Sequence, residues 1–186
     1  MKEKKKSKTL VCNLFGGPGT GKSSSMANIF AELKWAGVNC EMAPEFAKEK
    51  VWEGSTQILS NQIYVFGKQL HAIHRVLDKV EVIITDSPLL LSLIYGSNEC
   101  EEFKALVSKV YSRQRNLNIF LTRKKKYNPS GRLQSEKEAK KIDQSLLNLL
   151  EKNKIPYYVH DTGKESCEKI AKQIIEIIGK DKQLYK

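Results

Sequence analysis

The chain has 186 residues, 40% hydrophobic and 28% charged, with a formal net charge of +11. That length holds one well-buried core and falls short of two ordinary domains, and no stretch reaches the roughly 20 apolar residues of a membrane-spanning helix. The opening Met1-Lys2-Glu3-Lys4-Lys5-Lys6 lacks the apolar core of a signal peptide, so a soluble, cytoplasmic protein without membrane contact is the expectation.

Residues 1–8 hold five lysines against one glutamate and read as a disordered basic tail, leaving residues 9–180 as a single domain. The first apolar run, residues 9–15, reads as a strand. It leads into Gly16-Gly17-Pro18-Gly19-Thr20-Gly21-Lys22-Ser23, and residues 22–35 then have a helical pattern. Strand, glycine-rich loop and helix in that order make a phosphate cradle. A triphosphate needs several backbone N–H donors converging on its oxygens, and only a loop free of Cβ clashes wraps that closely, a demand that Gly16 and Gly21 meet. The helix aims its unpaired N–H groups and positive dipole end at the same anion. Lys22 supplies charge for the β- and γ-phosphates and Ser23 a hydroxyl for Mg²⁺; the whole run from Gly16 through Gly17, Pro18, Gly19, Thr20 and Gly21 to Ser24 is assigned to nucleotide binding. The competing reading is a glycine-rich turn with a surface lysine.

A second strand, residues 38–43, ends at Ala43-Pro44-Glu45. Residues 56–78 follow as one long helical region carrying Gln57, Gln62, Tyr64, Phe66, Gln69 and His71. Aromatic rings stack on bases and a glutamine amide both donates and accepts, so Phe66 and Gln69 are candidate substrate contacts; a buried aromatic stripe is the plainer alternative. His71 and His74, three apart with no third ligand in view, read as structural or exposed. The third strand, residues 80–85, ends in Thr85-Asp86-Ser87. In a doubly wound sheet these strand ends lie near the phosphate loop. Asp86 is thereby a candidate to hold Mg²⁺, directly or through water, and Glu45 to take the proton of an acceptor hydroxyl. Against these roles stand an N-cap role for Asp86 in the segment after Pro88 and a dipole-stabilising role for Glu45 at a helix start.

A helix over residues 99–113 and a strand over 117–122 lead into the basic loop of about residues 123–135. Its Pro and Gly punctuation suits a lid that closes over substrate and excludes water. Arg123 and Arg132 are the arginines expected to bind the transferring phosphoryl group, whereas Lys124, Lys125 and Lys126 read as solvated charge. Ser135 with Glu138 forms a capping box that opens a helix over residues 135–152. The fifth strand, residues 155–160, precedes His160-Asp161-Thr162-Gly163, which either runs beside an adenine or is a plain turn capped by Thr162. In the last helix, residues 165–178, Cys167, Ile170, Ala171, Ile174 and Ile178 recur at helical spacing. Cys12, Cys40, Cys100 and Cys167 are scattered without C-x-x-C spacing, which points to free thiols rather than disulfides or zinc.

Strands alternating with helices predict an α/β, three-layer P-loop NTPase fold with a five-stranded parallel sheet, adenylate-kinase-like, with a short lid. From about residue 9 to residue 178 the chain resembles the small P-loop kinases of the nucleoside and nucleotide kinase group. The Ala43-Pro44-Glu45 corner followed by Trp52, the helix bearing Gln69, and Thr85-Asp86-Ser87 resemble the layout of deoxynucleoside kinases and of the ribosylnicotinamide kinase domain. Tyr127-Asn128-Pro129-x-Gly131-Arg132 is similar to a segment of phage-encoded P-loop proteins labelled as ATPases or kinases. The resemblance implies Glu45 as base and Gln69 as reader of the substrate base. The chain departs from deoxynucleoside kinases in carrying Thr85-Asp86-Ser87 where they have Glu-Arg-Ser.

These features point to an ATP- and Mg²⁺-dependent phosphotransferase acting on a hydroxyl or phosphate of a nucleoside, nucleotide or related riboside. Two alternatives stand beside it. One is a kinase acting on nucleic acid, at a 5′ end or a modified base, which the two basic blocks support; the other is a nucleotide-dependent switch or ATPase. No strand carries an Asn/Thr-Lys-x-Asp signature for guanine, which favours ATP over GTP. A homodimer and a nucleic-acid partner are both compatible with the composition.

Overall fold

All six residues of β1 (Leu10–Phe15) are buried, as a strand covered on both faces requires. A computed structural model of the chain describes residues 7–124, 126–130 and 133–184. β1 pairs in parallel with β3 (Val82–Thr85) on one side and β4 (Arg115–Thr122) on the other. β2 (Cys40–Ala43) and β5 (Tyr158–Asp161) form the edges, giving the order β2-β3-β1-β4-β5.

The alternation along β1 separates two cores. Leu10, Cys12 and Leu14 pack with Ile29 and Leu33 of α1 (Lys22–Trp35) and with Ile170 and Ile174 of α7 (Lys164–Leu184). Val11 and Phe15 share the opposite core with Ile73 of α3 (Gln62–His74), Val107 of α5 (Glu101–Ser112) and Leu146 of α6 (Glu136–Lys152). The result is the three-layer α/β arrangement with five parallel strands that the sequence pattern predicts. Among the described residues no helix is long and apolar enough to cross a membrane.

The structure differs from the sequence reading at short elements. The region 56–78 is not one helix: a 3-10 turn at Thr56–Ser60 stops at Asn61, whose side chain accepts the Tyr64 N–H at 3.0 Å and caps α3. Two helices of less than two turns, α2 (Phe46–Trp52) and α4 (Leu91–Tyr95), are too brief to leave a periodic signal. The last strand is Tyr158–Asp161 rather than residues 155–160. The capping box is present, with Ser135 and Glu138 satisfying each other's N–H groups at the start of α6. All four cysteines are free thiols, three of them buried and Cys100 exposed. His71 and His74 are exposed.

A polar ladder within the second core fixes β1 against β4. Asn13 donates to Asn116 at 2.9 Å and to Asn118 at 3.1 Å, the Tyr111 hydroxyl donates to Asn118 Oδ1 at 2.8 Å, and Asn118 Nδ2 donates to Pro156 O at 2.9 Å. Asn118→Ala strips partners from the Tyr111 hydroxyl and Pro156 O, while Asn13 keeps Asn116 and Val11 O, at a cost of about 1–3 kcal/mol for each group left unsatisfied. The expected outcome in urea titration is a lower midpoint with unchanged slope, whereas the exposed Ser108→Ala stays within about 0.5 kcal/mol of the parent.

Candidate active site at the phosphate loop

The first helix begins without a side-chain cap. Its N-cap is Gly21, in the left-handed region at φ 97°, and the first backbone bond into the helix runs from Ser25 N–H to Gly21 O at 2.9 Å. The N–H groups of Lys22, Ser23 and Ser24 meet no acceptor among the described residues. Open donors at the positive end of a helix make an anion site. Lys22 adds a buried ammonium, whose Nζ donates to Gly16 O at 2.7 Å and Gly17 O at 3.1 Å. Burial pushes Lys22 below the ordinary lysine range, opposed by the nearby carboxylates of Glu45, Asp86 and Asp143. The Thr20 hydroxyl donates to Gly17 O at 3.0 Å and closes the loop on itself.

The adjacency of β3 to β1, and of β2 to β3, brings Asp86 and Glu45 together. Asp86 is 1% exposed, and its Oδ1 accepts the Glu45 N–H at 2.9 Å. Asp86 therefore crosses to the end of β2, where Glu45 occupies the N-cap position of α2. The Gln69 amide braces the same corner. Its Oε1 accepts from Phe46 N–H at 3.3 Å, and its Nε2 donates to Ala43 O at 3.3 Å and Thr85 Oγ1 at 3.2 Å. Both donors of Gln69 are thus taken by the scaffold, which corrects its reading as a base reader. Phe66 is a second correction: it is 4% exposed and packs edge-on against Phe103 in the core, with ring centroids 5.6 Å apart.

The root of the basic loop is pinned on two sides. Arg123 Nη1 donates to Pro18 O at 2.8 Å, and its Nη2 pairs with Asp143 Oδ2 at 2.9 Å. Lys124 pairs with Asp161 at the end of β5. Tyr127 lies against the phosphate loop, since a Cβ at Gly19 would fall 2.9 Å from its ring. Arg123 does not line the cavity described below; it clamps the loop. Arg132 lies outside the described residues, as do Lys125 and Gly131. Thr162 abuts Gly21, where a Cβ would meet its methyl at 3.2 Å, which puts the loop after β5 against the phosphate loop.

A cavity of about 380 Å³ opens off the phosphate loop, between α2, α3 and α4. Its lining includes Lys22, Ser23, Ser24, Glu45 and Gln69 among the residues singled out from sequence, and Lys48, Gln62, Ser92 and Tyr95 among those that were not assigned to the site. Lys48 reaches back to the Ser23 hydroxyl at 3.4 Å. Burial, reinforced by the charges of Glu45 and Asp143, pushes the Tyr95 phenol above its ordinary range.

Gly17 shows how closely the loop is packed. A Cβ there would fall 2.5 Å from Ala139 O and 2.8 Å from Asp143 Oδ1, so backbone must move. Gly17→Ala is expected to cost about 1–3 kcal/mol of stability and to weaken nucleotide binding at least about tenfold, read by urea titration and by titration with a fluorescent ATP analogue. Gly67→Ala, on α3 with no atom within 4 Å of the added carbon, serves as the contrast and is expected to gain about 0.5–1 kcal/mol.

No curated protein matches the chain. A family model described as an AAA domain matches residues 11–167, from β1 through the phosphate loop, both strand-end carboxylates and the basic loop into α7. The chain belongs to the AAA domain family, a family of P-loop NTPases.

Proposed function

We propose that the chain is a phosphotransferase that moves the γ-phosphoryl group of ATP, with Mg²⁺, onto a hydroxyl of an uncharged acceptor of nucleoside size. The observation that supports this reading most is the cavity opening directly off the phosphate loop. Hydrolysis of a nucleotide requires room for a water; a chamber of about 380 Å³ with apolar walls suits a small organic acceptor. Val51, Leu59, Val65 and Leu91 supply those walls, and Gln62, Ser92 and Tyr95 supply polar groups. Among the described lining residues the charged ones are Lys22, Glu45 and Lys48, gathered at the phosphate end. Away from that end the described lining is neutral, which suits a neutral alcohol as the acceptor.

In the proposed reaction a bond forms between the acceptor oxygen and the γ-phosphorus, and the bond from that phosphorus to the β–γ bridging oxygen breaks. The hydroxyl proton passes to the Glu45 carboxylate. The N–H groups of Lys22, Ser23 and Ser24 bind the phosphates, and Lys22 exchanges its carbonyl partners for phosphate oxygens. Asp86 orients Glu45 through its backbone N–H. The donor set fits Mg²⁺: Ser23 offers a hydroxyl on the cavity wall and Asp86 a buried carboxylate whose charge acts on Lys22, and phosphates and water would supply the remaining ligands. When bound, Mg²⁺ neutralises charge on the β- and γ-phosphates. Arg123 holds the loop and Arg132 is assigned to the lid over the transferring group. The setting we assign is a single domain, residues 9–180, working in the cytoplasm.

Exposed lysines at positions 126, 137, 140 and 141 favour a second reading, in which the acceptor belongs to a nucleic acid. Steep loss of affinity with added salt is its signature. The deciding experiment supplies γ-labelled ATP and Mg²⁺ with nucleosides, nucleoside monophosphates, nicotinamide riboside or single-stranded DNA. Label on a neutral riboside supports the proposal, label on DNA supports the second reading, and label in free phosphate alone contradicts both. Glu45→Gln is expected to slow transfer about 10²–10⁴-fold while ATP affinity stays within about twofold, as loss of a general base requires. Val65→Trp, which fills the cavity, is expected to abolish saturation by acceptor and spare ATP binding; an unchanged acceptor KM would contradict the assignment.

A further inference from the structure

One side chain outside the phosphate motif grips the phosphate loop from α6. Asp143 lies on the same stripe as the buried Ala139, Leu146 and Leu150. An acid on the inward stripe of a helix requires partners, and each of its oxygens has one. Oδ1 accepts the Gly17 N–H at 2.5 Å, and Oδ2 accepts from Arg123 Nη2 at 2.9 Å. Arg123 returns to the loop through Pro18 O at 2.8 Å, while its Nε is buried without a hydrogen-bond partner among the described residues. Gly17 and Pro18 are consecutive, so three hydrogen bonds close a ring through the phosphate loop, the lid root and α6. The paired side chains are 11% and 21% exposed, and a shielded charge-assisted pair of this kind holds its geometry.

We propose that Asp143 is a positioning residue for nucleotide binding, acting through Arg123 to hold the phosphate loop in its binding shape and to keep a guanidinium beside it. Two effects of Asp143 oppose each other. Its negative charge repels a triphosphate, and its grip on Arg123 and Gly17 favours one. The balance is favourable only while Arg123 is present. Removing the charge of Asp143 therefore lowers affinity in the parent but not in a background without Arg123, a non-additivity that a residue acting only in folding would not produce.

Asp143→Asn keeps the side-chain shape and an oxygen for the Gly17 N–H but loses the ion pair. Calorimetric titration with ATP and Mg²⁺ is expected to show affinity falling about tenfold in the parent protein, the scale of a hydrogen bond to a charged group. In an Arg123→Ala background the same substitution is expected to change affinity less than about twofold or to tighten it, the non-additivity that marks two residues working as a unit. Equal losses in both backgrounds, or no loss in the parent, would overturn the proposal. Thermal midpoints follow the fold of each variant. Arg123→Lys, which keeps charge but not the two-pronged grip, gives an independent reading: a loss of about tenfold supports the role, and parental affinity overturns it. The readout is nucleotide binding, so failure of the transferase proposal leaves this test intact.

Discussion

Lys22 is a buried ammonium whose hydrogen bonds go to carbonyls, and much of the site follows from that constraint. A charge inside a protein is costly unless the surroundings compensate it. Here Gly16 O and Gly17 O do so directly, and Glu45, Asp86 and Asp143 do so through their fields. Those three carboxylates come from the end of β2, the end of β3 and the middle of α6. The order of strands and the docking of α6 thus bring the compensating charges to the lysine where the phosphates bind.

The register of the sheet delivers two of the three. Thr85 pairs with Asn13 of β1 and with Ala43 of β2, so the residues just beyond it, Asp86 and the Pro44-Glu45 corner, arrive beside the phosphate loop. Thr85 Oγ1 donates to Ala43 O at 2.8 Å, and Gln69 bridges the same groups. That bracing makes the corner rigid where the proposed base must be placed to within fractions of an ångström. The opposite end of the site is built differently. The lid root is held by ion pairs to α6 and β5, while the first turn of α1 keeps open N–H groups, a local loss of hydrogen bonding that a bound anion relieves.

Much of this was legible in the sequence because the phosphate loop and the sheet obey local rules. The glycine spacing, the all-apolar β1 and the Ser135–Glu138 cap each depend on neighbours in the chain. The misreadings involve distance. Phe66 looked like a stacking ring and is core because Phe103, far along the chain, packs on it. Gln69 looked like a reader and is a brace because β2 and β3 come together beside it. Asp143 left a trace, an acid on the inward stripe of α6, but only the fold reveals that the stripe passes beneath Gly17. Glu45 and Asp86 were placed at the site because strand ends converge in this topology; that one fixes the other through a backbone N–H was not readable from either residue alone.

In the proposed reaction, acceptor and nucleotide meet across Glu45 in one continuous chamber. Its most direct test is a crystal structure with a non-hydrolysable ATP analogue, Mg²⁺ and an acceptor. The account predicts the acceptor hydroxyl within about 3.5 Å of the γ-phosphorus, in line with the bridging oxygen and within hydrogen-bond reach of the Glu45 carboxylate. An acceptor bound outside the cavity, or a γ-phosphate turned away from it, would contradict the account.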